Sequence, residues 1–147
     1  MYQCILVATD GSKLSDKAVT SAIRLAKLCG AQLVALKVTP RYPQSYFEGS
    51  LPLSATEVGK IEGKWHDEAQ AVVDQVAAKA SASGLSAKAV TARSDLVGEA
   101  IVSAAKKHKA DLIIMASHGR RGIKRLLLGS ETQHVLTHSH TPVLVLR

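Results

Sequence analysis

Aromatic residues make up only 3% of the chain, so any core must be built mainly from Ala, Val, Leu and Ile. Cysteine is scarce too. Cys4 and Cys29 stand far apart with no CxxC pair, which argues against a zinc ribbon or a disulfide framework. Both fall in apolar segments and are expected to be buried free thiols in a reducing compartment. No apolar run approaches the ~18–20 residues of a membrane span, and the opening MYQCILVATDGS shows no basic leader. A cytoplasmic protein with no membrane association is therefore expected. Three catalytic or phosphate-binding signatures are also missing: the P-loop, the GxGxxG fingerprint and the GxSxG elbow.

A chain of 147 residues fits one domain spanning 1–147, long enough to bury a core without disulfide or metal staples. Its formal net charge of +7 attracts anions, whether nucleotides, nucleic acid or acidic partners, without choosing among them.

Strand and helix patterns alternate along the chain. YQCILVAT (2–9) is a short apolar run. After Asp10-Gly11, Ser12 or Ser15 can cap a helix whose Ala18, Ala22, Leu25, Ala26 and Cys29 recur at helical spacing before Gly30. AQLVALKV (31–38) reads as a second strand. Pro40, Pro43, Gly49 and Pro52 make 39–53 a long loop. From Ser54 a helical pattern carries Trp65, Ala69, Val72, Val73, Val76 and Ala80 on one side until near Gly84. SAKAVTAR (86–93) is a weaker third strand. Val97, Ala100, Ile101, Ala104 and Ala105 mark a third helix, whose closing lysines 106, 107 and 109 oppose the helix dipole. DLIIMAS (111–117) suits a central parallel strand buried on both faces. A helix from about Ser130 and a last strand, TPVLVLR (141–147), complete the chain. Such alternation predicts a doubly wound α/β domain with helices on both faces of a parallel sheet. Ligands in these sheets bind beyond the carboxyl ends of the strands, where strand order reverses. Asp10-Gly11-Ser12 and Ser117-His118-Gly119 are the two turns placed and equipped for that.

The second turn leads into a cationic stretch, Arg120, Arg121, Lys124 and Arg125, and then into Gly129-Ser130. Gly119 allows either a positive φ or a close main-chain approach. Gly129-Ser130 places unpaired N–H groups and a hydroxyl at a helix start, an arrangement suited to phosphate. The same residues also fit a plain surface turn with a Gly-Ser cap.

Spaced as Ala116, Gly119, Gly129 and Ser130, this segment resembles the nucleotide-binding motif of the universal stress protein family: Gly, two residues, Gly, nine residues, Gly, then Ser or Thr. Alanine stands where the first glycine is expected. ILVATDGS, the Ala-rich first helix, ADLIIMASHGRRG, LLLGS and TPVLVLR extend the resemblance over the whole chain. It implies a five-stranded sheet in the order 3-2-1-4-5, ATP between the ends of strands one and four, and a homodimer through the last strand, 141–147. By position it places Ala8, Thr9 and Asp10 along the adenosine and Val38 beside the base. Met115 and Ala116 would complete that wall, His118, Gly119 and Arg120 would lie near the phosphates, and Gly129, Ser130, Glu131 and Thr132 would supply donors. A small residue at 116 is expected to suffice. The implied role is stress-related signalling through an unidentified protein partner. Asp10 could instead help hold a magnesium ion accompanying ATP, through water, but contact with the ribose is the preferred reading. No base for water attack on a γ-phosphate is identifiable, so little or no turnover is expected, a slow hydrolase or phosphotransferase being the alternative.

Other features are weighed more briefly. Asp111 begins its strand at the far end of the sheet and reads as structural. His134, His138 and His140 lack the Cys or carboxylate partners of a zinc site and read as solvated surface residues. His118 would either touch the ligand or hold its turn. The cationic loop holds no aromatic to stack on bases, so nucleic acid is not the expected partner. Tyr42, Tyr46 and Phe47 would form a lid or a partner patch, or pack over helix ends.

Overall fold

The computed structural model describes residues 1–43, 53–119 and 128–147. Tyr46, Phe47, Arg120, Arg121, Lys124 and Arg125, each given a role above, lie outside these residues.

The order of elements is β1 (Cys4–Ala8), α1 (Lys13–Cys29), β2 (Gln32–Thr39), α2 (Ala55–Ala82), β3 (Ala87–Arg93), α3 (Val97–Lys107), β4 (Leu112–Ala116), α4 (Ser130–His138) and β5 (Val143–Leu146). All strand pairs are parallel, and the sheet runs β3-β2-β1-β4-β5. This is the architecture and strand order expected above. β1 lies between β2 and β4, so the chain winds outward in one direction and then restarts on the other side, opening a crevice above β1 and β4.

Strand alternation divides the core into two layers. Ile5, Val7, Leu33, Ala35, Leu112 and Ile114 pack with Ala18, Ala22, Val73 and Val76 of α1 and α2. Leu6, Val34, Leu36, Ile113 and Met115 turn the other way, onto Ile101 and Ala105 of α3 and Val135 of α4. β4 is buried at every residue, as its unbroken apolar run requires.

Local chemistry sets the helix ends. Ser12 caps α1, its side chain accepting from the Ser15 amide at 3.2 Å, and Gly30 ends the helix in a left-handed conformation. Ser54 and Glu57 form a reciprocal capping box at the start of α2, and those bonds hold the Glu57 carboxyl below its usual range. At the amino end of the sheet, the Asp111 carboxylate accepts from the amides of Gln3 at 2.8 Å and Cys4 at 3.0 Å. The Gln3 amide first, and then that of Cys4, hold this carboxyl below its ordinary range. Asp111 thus ties β4 to the entry of β1, the structural role expected of it.

Cys4 is buried, and burial followed by the charge of Asp111 pushes its thiol up. Cys29, expected to be buried, is only half-buried, because it sits in the last turn of α1 where the helix leaves the sheet.

Candidate functional site

Two turns bound the crevice. In the first, Gly11 has φ +81°, a conformation that favours glycine. Around it, Asp10 Oδ1 accepts from the Ser12 amide at 2.9 Å and Thr9 Oγ1 accepts from the Gly11 amide at 3.1 Å. Thr9 Oγ1 also lies 3.0 Å from Ser15 Oγ, and the Ser15 hydroxyl donates to Ser12 O at 2.9 Å. Lys37 Nζ, from β2, donates to Asp10 O at 3.3 Å. These bonds fix Asp10 at the mouth of the crevice.

The second turn follows β4. The Ser117 amide donates to Leu146 O at 2.7 Å, and Ser117 O accepts from the Gly129 amide at 2.8 Å. One turn onward, the Thr132 hydroxyl donates to Ala116 O at 3.0 Å, and Thr132 is 2% exposed. The start of α4 is therefore bolted to the end of β4.

Close approach explains both glycines. A Cβ on Gly129 would lie 3.2 Å from His118 Cα and 3.3 Å from Ser117 O. One on Gly119 would lie 2.8 Å from Asp10 Oδ2, so the two turns meet across the crevice mouth. Neither glycine has a positive φ, which resolves in favour of close approach the choice left open for Gly119. Ala116, in the first position of the motif, is a regular strand residue paired with Leu146, and its backbone has no need of glycine.

Between the turns lies a cavity of about 650 Å³. Every site residue expected from the sequence that falls within the described residues lines it: Ala8, Thr9, Asp10, Val38, Met115, Ala116, His118, Gly119, Gly129, Ser130, Glu131 and Thr132. One wall is apolar, with Val38 and Met115 joined by Val97 and Ile101 of α3. The amino end of α4 also lines the cavity, and the first amides of that helix have no partner within it.

The profile of the family described as the Universal stress protein family matches residues 1–147. This chain belongs to the universal stress protein family. A universal stress protein of Methanocaldococcus jannaschii is 34% identical over 100% of this chain and 83% of its own length. Among solved structures, the universal stress protein UspA of Lactobacillus plantarum superposes with TM-score 0.83 at 26% identity, covering 99% of this chain and 98% of its own. A universal stress protein in complex with cAMP superposes with TM-score 0.72 at 32% identity, covering 99% of this chain and 97% of its own.

In this universal stress protein several donor assignments need correction. Gly129 does not supply a free amide, since its N–H is spent on Ser117 O. Among the described residues, the donors left without a partner at the helix start are the amides of Ser130, Glu131 and Thr132. The Ser130 hydroxyl donates to Glu131 Oε2 at 3.1 Å. His118 holds its turn, with Nδ1 lying 3.2 Å from Ser117 Oγ, while also bordering the cavity.

His134 is not a solvated surface residue. It is half-buried, its ring stacks on His138 with centroids 4.1 Å apart, and its Cβ sits where a Cβ on Gly98 would come within 2.8 Å. Tyr42 packs on a helix: its ring stacks on Trp65 at 6.2 Å, and its amide donates to Glu62 Oε2 at 3.2 Å. Among the described residues no helix is long and apolar enough to cross a membrane, and no three His, Cys, Asp or Glu side chains are grouped to hold a metal ion.

Ser15, Leu36, Lys37, Val97, Ile101 and Leu128 also line the cavity, and none of them is among the site residues expected from the sequence. Val97 and Ile101 belong to the apolar face of a helix, and the part of that face that meets the cavity carries no separate signal in the sequence.

Proposed function

We propose that the cavity binds an adenine nucleotide, with ATP as the ligand, and that the protein is a nucleotide-dependent stress-response homodimer with little or no intrinsic turnover. The observation that carries this reading is the convergence, in one cavity, of an apolar slot and a row of unpaired amides. The slot, made by Val38, Val97, Ile101 and Met115, suits a flat base; the amides of Ser130, Glu131 and Thr132 suit phosphate. Its volume of about 650 Å³ falls within the ~300–1,000 Å³ usual for small-molecule sites. The relative solved in complex with cAMP supports the same ligand class.

In this reading Ala8, Thr9 and Asp10 border the sugar, Gly119 lets the chain come close to the phosphates, and Ala116 is small enough to serve in the first motif position. His118 and Arg120 would lie near the phosphates, and Asp10 serves the sugar in preference to a magnesium ion brought by the nucleotide. Protein partners would read the nucleotide state; the cationic loop serves polyphosphate rather than nucleic acid.

The homodimer forms through β5. Among the described residues that strand is the edge of the sheet, bonded to β4 alone, with Leu144 39% exposed. An uncovered apolar edge invites pairing, and a two-fold axis satisfies both copies at once.

The test is to denature purified protein and identify the released nucleotide. Released ATP supports binding without turnover. Released ADP, with measurable phosphate production by the native protein, favours the hydrolase or phosphotransferase alternative. Absence of nucleotide, together with no saturable ATP binding, overturns the reading. Light scattering at micromolar concentration checks the dimer, and a monomer there removes it.

A further inference from the structure

The start of α4 carries a charge that a phosphate site has no obvious use for. Glu131 is the second residue of the helix, is exposed, and lines the cavity beside the amides that would hold phosphate. Its carboxylate already receives the Ser130 hydroxyl at 3.1 Å. A phosphate entering the cavity therefore meets a resident anion that draws on the same helix dipole and occupies the same hydroxyl. We propose that Glu131 sets how much phosphate charge the site accepts, disfavouring metal-free di- and triphosphates relative to monophosphates. This inference rests on the nucleotide reading above.

Glu131 costs every phosphorylated ligand something, and the cost grows with ligand charge. Two unit charges ~6 Å apart in a water-like dielectric repel enough to change an equilibrium about threefold. AMP carries about two negative charges and metal-free ATP about four, so Glu131 should shift the ATP-to-AMP affinity ratio by roughly tenfold. Magnesium, which travels with phosphates, lowers the charge that Glu131 meets. Every other charge of the chain is common to the wild type and the variant, so it drops out of a comparison between the wild type and a change at 131.

The experiment is calorimetric titration of AMP, ADP and ATP in EDTA into the full chain, into Glu131→Gln, and into Glu68→Gln as a control on α2 outside the cavity. Glutamine keeps the length of the side chain, an acceptor for Ser130 and good helix propensity, and circular dichroism checks that each variant is folded. The expected result is a roughly tenfold rise in the ATP-to-AMP affinity ratio for Glu131→Gln, with ADP between, a smaller rise in magnesium, and no change for Glu68→Gln. A ratio unchanged within about twofold, or an equal change in Glu68→Gln, overturns the proposal while leaving nucleotide binding intact. No saturable binding of any of the three by wild type or variant overturns the nucleotide reading and this inference with it.

Discussion

Replacing Gly129 separates damage to the site from damage to the fold. Its backbone, at φ −61° and ψ 155°, is open to any residue, so a side chain meets no conformational penalty. Losing a glycine even stabilises by roughly 0.4–1 kcal/mol, by restricting the unfolded chain. What opposes the change is contact. An alanine Cβ would stand 3.2 Å from His118 Cα and 3.3 Å from Ser117 O, both main-chain atoms. The two segments must separate by a few tenths of an ångström, against the 2.8 Å bond from the Gly129 amide to Ser117 O. Weakening that bond costs about 1 kcal/mol at most, so Gly129→Ala should unfold within about 2 °C of the wild type. Gly129→Val adds two methyl groups where His118 Cβ is already 3.4 Å away, for an overpacking cost of ~1–3 kcal/mol and a fall of roughly 2–10 °C. Binding should suffer more than folding, because the same retreat carries the amides of Ser130, Glu131 and Thr132 away from the phosphate. Losing one or two charge-assisted bonds, at ~1.5–3 kcal/mol each, predicts at least tenfold weaker ATP binding for alanine and none measurable for valine. Thermal unfolding by circular dichroism and calorimetric titration read the two effects separately. Folded variants that both bind ATP like the wild type would refute the reasoning.

Gly98→Ala should destabilise by ~1–3 kcal/mol, because its Cβ would come within 2.8 Å of His134 Cβ and 3.0 Å of Cγ in the α3–α4 contact. His134→Gly, which removes that Cβ together with the ring, should relieve most of that cost, and urea unfolding of the four proteins of the double-mutant cycle checks it through a coupling energy well above zero. Asp111→Asn should remove an acid-sensitive part of stability. The native carboxyl is depressed below its unfolded value, so its contribution is present above about pH 4 and is lost as pH falls through the lower folded value. Wild type should therefore exceed the variant at pH 6 and converge on it toward pH 2, as measured by urea midpoints; a gap that stays constant down to pH 2 would contradict this.

Much of the fold was legible because burial leaves a period in the sequence. LIIMA had to be covered on both faces, and it became β4 at the centre of a doubly wound sheet. Ser12 and Ser15 were indistinguishable as caps because both hydroxyls are used: Ser12 caps α1, while Ser15 turns inward to Thr9. Strand order was another matter. Periodicity identifies elements but not their neighbours, and the order 3-2-1-4-5 came from family resemblance. Within the site, glycine and serine spacing pointed to the right turns, yet nothing local reveals that the Gly129 amide is consumed by Ser117, twelve residues earlier. Val97 and Ile101 were opaque for the opposite reason. An apolar i, i+4 pair on a helix looks the same whether it faces a core or an empty slot.

The end of β4 is held mainly by main-chain groups, and this determines which substitutions there will matter. Ser117 gives its amide to Leu146 O and receives the Gly129 amide on its carbonyl, while Ala116 O receives the Thr132 hydroxyl. The strand end is thereby fixed to β5 on one side and to α4 on the other, and neither of Ser117's two bonds depends on its side chain. Among the described residues the Ser117 hydroxyl has one hydrogen-bond partner, His118 Nδ1 at 3.2 Å. Ser117→Ala should therefore cost no more than about 1 kcal/mol and leave ATP affinity within about threefold of the wild type, although the residue is buried inside the motif. Gly129→Val, which removes no polar group, should abolish binding. If calorimetry ranks the two the other way round, the phosphate is held by the Ser117–His118 side chains, and the backbone cradle at α4 is the wrong account of the site.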